Sequence, residues 1–315
     1  MPFMRTKNPL LIEEHTFLVN QSIDYIHANI PHDIRLADIS TAVSVSPSYL
    51  HRMFKRITNQ NINDYVVRKR LDRALHMLLF WEGVTLSEIA SCCGFSSLAV
   101  FSRSFKTQYD CSPTIYAEKH RIIKSKIHQI ENKRWESYFS SKPYNQINEG
   151  LQEYKLRMAI RQFPARKEGY VRGYEGDHSD EQVPSLYNRL NRLASNRGLW
   201  RSDSFVYRCL DYPWYLGGRS TSNYYEACLT LPEDAPELPN LNTRLFEGGP
   251  YAVIRFEEPE HALGALMMYS LTSWLPSSGY LFDIRPTIMI HYNNPSRHPD
   301  NHAIVDYCLP VRSLH

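Results

Sequence analysis

The chain has 315 residues, 43% of them hydrophobic and 22% charged, with a formal net charge of +3. That balance excludes a mainly disordered chain, and no apolar run approaches the roughly 20 residues of a membrane-spanning helix. The charge is split, however: residues 1–134 hold 18 Lys/Arg against 12 Asp/Glu, residues 135–315 hold 18 against 21. The two halves therefore suit different partners, the first a polyanion.

The start, Met1 to Arg5, runs into polar sequence without the apolar core of a signal peptide. Six cysteines (Cys92, Cys93, Cys111, Cys209, Cys228, Cys308) form no C-x-x-C pair and read as thiols of a reducing cytoplasm.

In chain order, two stretches of the first half look alike. Leu36 to Lys55 and Leu86 to Lys106 match at Ile39/Ile89, Leu50/Phe101, Arg52/Arg103, Phe54/Phe105 and Lys55/Lys106, the offset changing from 50 to 51 after a turn. Each copy has helix-turn-helix logic. A first helix carries a stripe such as Leu36, Ile39 and Val43. A turn at Ser44 or Gly94 wants a left-handed backbone. Ser46 or Ser96 caps a second helix, with Pro47 at its first position in one copy. That helix buries Leu50 and Phe54, or Phe101 and Phe105. Its outer face presents Ser48, His51, Arg52 and Lys55, or Ser102, Arg103 and Lys106. A buried stripe backed by a short polar, basic face is what a major-groove helix needs.

Residues 62–79 read as one continuous helix joining the copies, with Tyr65, Leu71, Leu75 and Leu78 on its apolar side. It spans ~26 Å at 1.5 Å per residue, enough to hold two reading heads about one DNA turn apart. Arg68, Lys69, Arg70 and Arg73 form a solvated basic run along it, or phosphate contacts.

Residues 20–120 resemble the two-headed DNA-binding domain of the AraC/XylS transcription regulators. The resemblance rests on Tyr49-x-x-Arg52-x-Phe54-Lys55, Tyr65-x-x-x-x-Arg70-Leu71-x-x-Ala74, Ile89-Ala90-x-x-x-Gly94-Phe95, Phe101-x-Arg103-x-Phe105-Lys106 and Ser112-Pro113-x-x-Tyr116. The family usually has Gly where this chain has Ser44, Asn59 and Asp110; Asn and Asp tolerate a left-handed backbone, Ser less well. The resemblance implies that Ser48, His51 and Arg52 face base edges, Arg52 suiting a guanine. The equivalent positions of the second head are Leu98, Ala99, Ser102 and Arg103. Leu98 and Ala99 cannot hydrogen-bond, so that head is expected to meet thymine methyls or to anchor on phosphate through Ser102, Arg103 and Lys106. Reading is then asymmetric and dominated by the first head.

Apolar residues thin out after residue 120, and Pro143 lies in a polar linker ending near residue 150. Beyond it the pattern turns to strands: 154–161, 205–210 and 225–231 alternate, and a helix over 183–196 ends at Gly198. A second set follows, with strands over 251–256, 287–292 and 303–311 and a helix from Pro259 to about Trp274 ending before Gly279. The two post-helix glycines are 81 residues apart, the mark of a tandem strand–helix–strand–strand repeat.

Gly248-Gly249-Pro250-Tyr251-Ala252-Val253, Trp274-Leu275-Pro276-x-Ser278-Gly279-Tyr280, Arg285-Pro286, Tyr292-Asn293-Asn294 and Leu309-Pro310-Val311 resemble the GyrI-like effector domain over roughly residues 155–315. That resemblance implies a pseudo-twofold sheet whose groove takes a small, often amphipathic or cationic ligand, and a whole chain similar to Rob-like AraC regulators. Many such domains place a Glu in the groove where this chain has Met289. Alternation puts Thr287, Met289 and His291 on one face and Ile288, Ile290 and Tyr292 on the other, with the second set as core and Met289 toward the groove. Met suits an apolar ligand, and Glu226 stands as a substitute counter-charge or as a solvated side chain. Trp200, Trp214, Trp274, Tyr251, Tyr280 and Phe282 are candidate stacking walls, or core. His291, His298, His302 and Cys308 lack compact metal-ligand spacing.

The chain thus reads as multidomain: an all-α double helix-turn-helix domain over 1–125, a linker over 126–150, and an α+β domain of two strand-helix-strand-type modules over 151–315. The expected function is a cytoplasmic, sequence-specific transcription regulator, an activator by resemblance. It binds double-stranded promoter DNA as a monomer, with RNA polymerase as a partner implied by the family and a small amphipathic or apolar effector. No cofactor, metal, membrane contact or catalysis is expected. The alternative is a C-terminal hydrolase, or protein-binding module, tethered to DNA.

Overall fold

The computed structural model describes residues 9–81, 83–119, 159–174, 182–196, 198–199, 206–210, 225–235, 241–259, 263, 266–267, 270–293, 298–300 and 302–313. The first half is helical: α1 (Pro9–Asn29), α2 (Leu36–Ala42), α3 (Pro47–Thr58), α4 (Ile62–Phe80), α5 (Leu86–Cys92), α6 (Leu98–Tyr109) and α7 over 113–119.

Two cores share α4. One gathers Ile23 and Ile26 of α1 with Ile39, Leu50, Phe54, Ile62 and Tyr65. The other gathers Leu71, Leu75, Ile89, Phe101 and Phe105. The joining helix therefore places its N-terminal turns in one head and its C-terminal turns in the other. Ser46 Oγ caps α3 by accepting from Tyr49 N–H at 3.3 Å. In the second copy the cap is Ser97, which accepts from Val100 N–H at 3.2 Å. Ser96 is one residue short, because the extra residue of the second copy lies between the turn and the helix.

The non-Gly residues with positive φ among the described residues are Ser44 (56°), Asn59 (57°) and Asp110 (58°). These are the three positions where the family prefers Gly. The backbone keeps its left-handed turns although the side chains there raise their energy. Gly94 (φ 75°) also needs its missing side chain for space: a Cβ would sit 2.5 Å from Ile30 O.

The basic run of α4 is not solvated. Arg68 and Lys69 are buried, and Arg70 and Arg73 half-buried. Lys69 pairs with Asp72 at 3.3 Å, and the Arg68 guanidinium lies 5.2 Å from the Tyr65 ring centre. Arg70 donates to the carbonyls of His32 and Ile30 at 2.6 and 3.4 Å. The helix runs between two cores and leaves only Asn63, Asp64 and Val67 exposed among its described residues, so its cations turn to internal carbonyls, carboxylates and rings.

Among the described residues the second half forms one nine-stranded antiparallel sheet, in the order β1-β6-β9-β8-β3-β4-β2-β5 with β7 beside β9. Its strands are β1 (Ala159–Phe163), β2 (Arg166–Gly173), β3 (Val206–Leu210), β4 (Tyr225–Thr230), β5 (Asn242–Phe246), β6 (Gly249–Pro259), β7 (Tyr280–Phe282), β8 (Thr287–His291) and β9 (His302–Ser313). The trio β2–β4–β3 mirrors the trio β6–β9–β8 about the β3–β8 pair, which confirms the two modules. Helix α8 (Gln182–Ser195) covers the first module through Leu190 and Ala194 on Val171, Ala227 and Leu229. The second module's helical segment packs Leu263, Leu266 and Leu271 on Ile254, Val305 and Leu309, and passes through a π-helical turn (Ser270–Trp274) into a last α-helical turn (Leu275–Ser277).

Strand β2 was not legible as a strand. Its Glu168 and Arg172 are buried on the face away from α8, where they form ion pairs. On the helix face its Gly169 lies so close to Leu241 that a Cβ would come within 2.8 Å. Charges on one face and glycines on the other erase the apolar alternation.

Candidate functional site

Helices α3 and α6 hold the predicted DNA-reading side chains outward. Ser48, Arg52 and Lys55 are exposed and His51 half-buried on α3; Leu98, Ala99, Arg103 and Lys106 are exposed and Ser102 half-buried on α6. Leu50 and Phe54, or Phe101 and Phe105, anchor the opposite faces with no exposure. Helical spacing then fixes each outward set along one ridge. Leu98 is 41% exposed, an apolar group held in water at the start of α6.

The effector-side residues do not form one cluster. Met289 and His291 lie on the helix-bearing face of the sheet. Met289 is 2% exposed, packed with Ile254, Leu271 and Tyr307, and His291 is half-buried with its ring edge-on to Tyr187 of α8 at 5.6 Å. Tyr280 packs against the same cluster and stacks on Trp274. Tyr251 and Glu226 occupy the opposite face. Tyr251 is fully buried, its hydroxyl donating to Pro286 O at 3.3 Å and its ring beneath Arg285. Trp200 and Trp214 lie outside the described residues, as does the linker over 126–150.

Glu226 is neither solvated nor a counter-charge in waiting. It is 1% exposed and accepts from Arg172 Nε at 2.7 Å and Arg244 Nη2 at 2.5 Å. Burial opposes its ionisation, but the two guanidiniums outweigh burial and hold its carboxyl well below the usual range. Glu168 meets Arg244 at 2.6 Å; there burial prevails, and its carboxyl is pushed up to about 7.

This network also joins the two halves. Asp24 of α1 accepts from Arg172 Nη2 at 3.0 Å and from the Tyr170 hydroxyl. One turn earlier, Asn20 donates to Asn242 Oδ1 at 2.7 Å and accepts from the Tyr174 hydroxyl. A second contact sits at the end of α4, where His76 Nε2 and Trp81 Nε1 both donate to Phe282 O, at 2.9 and 3.2 Å. Burial lowers the His76 imidazole to about 4. Sequence reasoning missed both contacts. One signal was available: an acid two residues before a cysteine recurs as Glu226/Cys228 and Asp306/Cys308.

Comparison with known proteins decides the family. A helix-turn-helix domain matches residues 39–119, and the GyrI-like small molecule binding domain matches residues 157–312. The regulatory protein SoxS of Escherichia coli strain K12 is 31% identical over 108 residues, which span 98% of SoxS and 34% of this chain. The chain belongs to the AraC/XylS family of transcription regulators. The Msm operon regulatory protein of Streptococcus mutans is 32% identical over 32% of this chain and 36% of its own length. YbfP of Bacillus subtilis, described as an uncharacterized HTH-type transcriptional regulator, is 23% identical over 60% of this chain and 62% of its own length. The chain spans about a third of the length of the first curated relatives it matches. Among the described residues no helix is long and apolar enough to cross a membrane, and no group of three or more His, Cys, Asp or Glu is arranged to hold a metal ion.

Proposed function

We propose that this AraC/XylS-family chain binds promoter DNA through α3 and α6 and couples that binding to a small molecule taken by the GyrI-like sheet. The carrying observation is the pair of outward ridges, Ser48–His51–Arg52–Lys55 and Ser102–Arg103–Lys106, each braced by a buried aromatic or aliphatic stripe. Arg52 then reads a guanine edge, while the second ridge, with Leu98 and Ala99 at its start, contributes phosphate contacts and methyl packing. One chain supplies both heads, which supports binding as a monomer. Activation and contact with RNA polymerase are carried over from the family resemblance, and a promoter-binding role supports a cytoplasmic location.

The helix-bearing face beside α8, where the half-buried His291 meets Tyr187, is the proposed effector groove. Among the described residues no carboxylate supplies it with a counter-charge, since Met289 stands buried in the core and Glu226 is held by its arginines on the other face, which supports an apolar or amphipathic ligand rather than a cation. A genome-wide footprint of the purified protein tests the reading, together with DNA affinity measured against salt. Salt-sensitive, sequence-selective binding is expected. Its absence overturns the reading, and turnover of simple esters would favour a hydrolase instead.

A further inference from the structure

The pseudo-twofold relation extends to charged side chains on the sheet face away from α8. In the first module Arg172 of β2 lies opposite Glu226 of β4 in register, and Arg244 on the flanking strand β5 lies opposite Glu168. In the second module Arg255 of β6 lies opposite Asp306 of β9, and Arg161 on the flanking strand β1 lies opposite Tyr251. The register superposes Arg172 on Arg255, Glu226 on Asp306 and Arg244 on Arg161. Each module therefore holds a buried carboxylate between two guanidiniums. In the second, Asp306 is fully buried and accepts from Arg255 Nε at 2.5 Å, from Arg161 Nη1 at 3.3 Å and from the Tyr292 hydroxyl at 2.8 Å.

The modules differ in what lies on top. The first pair of arginines receives a second carboxylate, Asp24 of α1, and Arg244 also meets Glu168. In the second, the position of Glu168 is Tyr251, which carries no charge, and no acidic side chain among the described residues takes the place of Asp24. Arg161 and Arg255 keep 55% and 42% of their side chains exposed, where Arg172 keeps none. The Arg255 guanidinium lies over the exposed Tyr292 ring at 4.2 Å. Glu257, exposed on the same strand, acts on Arg255 through space without an ion pair among the described residues.

The geometry points to a carboxylate-binding site at Arg161, Arg255 and Tyr292, on the face opposite the effector groove, for a small organic acid with an aromatic or other flat body. Two guanidiniums with one carboxylate between them retain outward N–H donors that suit a second carboxylate, as Asp24 demonstrates in the first module. The Tyr292 ring gives the body of the acid a surface to lie on. An acidic helix of a partner protein fits less well. The groups that hold α1 in the first module, Asn242 and Tyr174, correspond to Ala159 and Glu257, so the helix-specific contacts are gone and the carboxylate-specific ones remain.

The test is a titration of the full chain at fixed ionic strength with sodium benzoate, neutral benzamide and benzylammonium chloride, read by calorimetry and by the melting temperature. Saturable benzoate binding is expected, with neither benzamide nor benzylammonium competing. Arg161→Gln, which leaves Arg255 to pair with Asp306, and Arg255→Lys, which keeps charge but removes the two-pronged geometry, are each expected to weaken benzoate roughly tenfold, the equivalent of one charge-assisted hydrogen bond. Unliganded melting of each variant separates lost binding from lost fold. Absence of benzoate binding, equal binding of benzamide, or undiminished binding in both folded variants overturns the proposal. DNA binding is untouched by any of these outcomes, so the promoter-binding reading fails or stands separately.

Discussion

Arg172 and Asp24, 148 residues apart in the chain, meet at 3.0 Å and tie the helix that opens the DNA-binding half to the sheet of the effector half. Arg172 is fully buried and Asp24 keeps 22% of its side chain exposed. Replacing Asp24 by Ala leaves the Tyr170 hydroxyl and part of a guanidinium facing a gap, although Glu226 still pairs with Arg172. A loss of about 2 kcal/mol is expected, below the full cost of orphaning a buried ion. Scanning calorimetry checks it: the variant is expected to melt in two separated steps where the parent's halves melt together.

The two heads are expected to fail differently. Arg52→Ala weakens binding to the cognate site by about 1–3 kcal/mol and relaxes preference at one base pair. Arg103→Ala weakens all DNA alike and lowers the salt slope by about one unit. Affinity measured over a salt series on cognate and scrambled duplexes checks both. Equal loss of discrimination from the two variants would remove the asymmetry.

The cations of α4 give a converse expectation. Arg70 spends its donors on the carbonyls of Ile30 and His32, so Arg70→Met costs about 1–2 kcal/mol of stability yet leaves the salt slope of DNA binding unchanged. Urea denaturation beside the same salt series tells the two effects apart.

Ser44 holds a left-handed turn that Gly would adopt freely. Ser44→Gly is expected to stabilise the DNA-binding half by about 0.5–1 kcal/mol, the relief of αL strain less the added freedom of the unfolded chain. At the equivalent turn of the second copy, Gly94→Ala is expected to destabilise by about 2 kcal/mol or more, because it adds a clash with Ile30 O to that strain. Thermal melts of the pair test the sign at each site.

His76 supplies a pH dependence at the second contact between the halves. Its imidazole sits at about 4 in the folded chain, against 6.5 in the unfolded one, chiefly through burial. The unfolded state therefore binds the proton first as pH falls, so this contribution is complete above 6.5 and is lost between 6.5 and 4. Linkage puts its size at up to about 3 kcal/mol. Urea midpoints at pH 7.5 and 5 are expected to converge in His76→Gln relative to the parent.

The helix-turn-helix repeat was legible because its signals are local: a 3.6-residue stripe, a cap, and a turn whose handedness Gly94 marks directly and Ser44, Asn59 and Asp110 mark by position. Strands β4, β6, β8 and β9 were legible by alternation. Strands β2 and β5 were not, since β2 carries buried charges and glycines in place of apolar residues and Asn242 and Arg244 of β5 serve the contact with α1 and the ion network. The burial of Arg68 and Lys69 was hidden for a related reason, as a basic run on a helix looks alike whether water or a second core lies beside it.

The sequence by itself determined the two-headed reader, the outward residues of its ridges and the tandem module, because periodicity and turn chemistry act over a few residues. Only the tertiary structure decided that Glu226 is held ionised between two arginines, that Met289 and Tyr251 lie on opposite faces, and that one arginine pair is covered by Asp24 while its pseudo-twofold mate is open. Those outcomes depend on which strands become neighbours, and electrostatic pairing across a sheet is set by register between segments far apart in the chain.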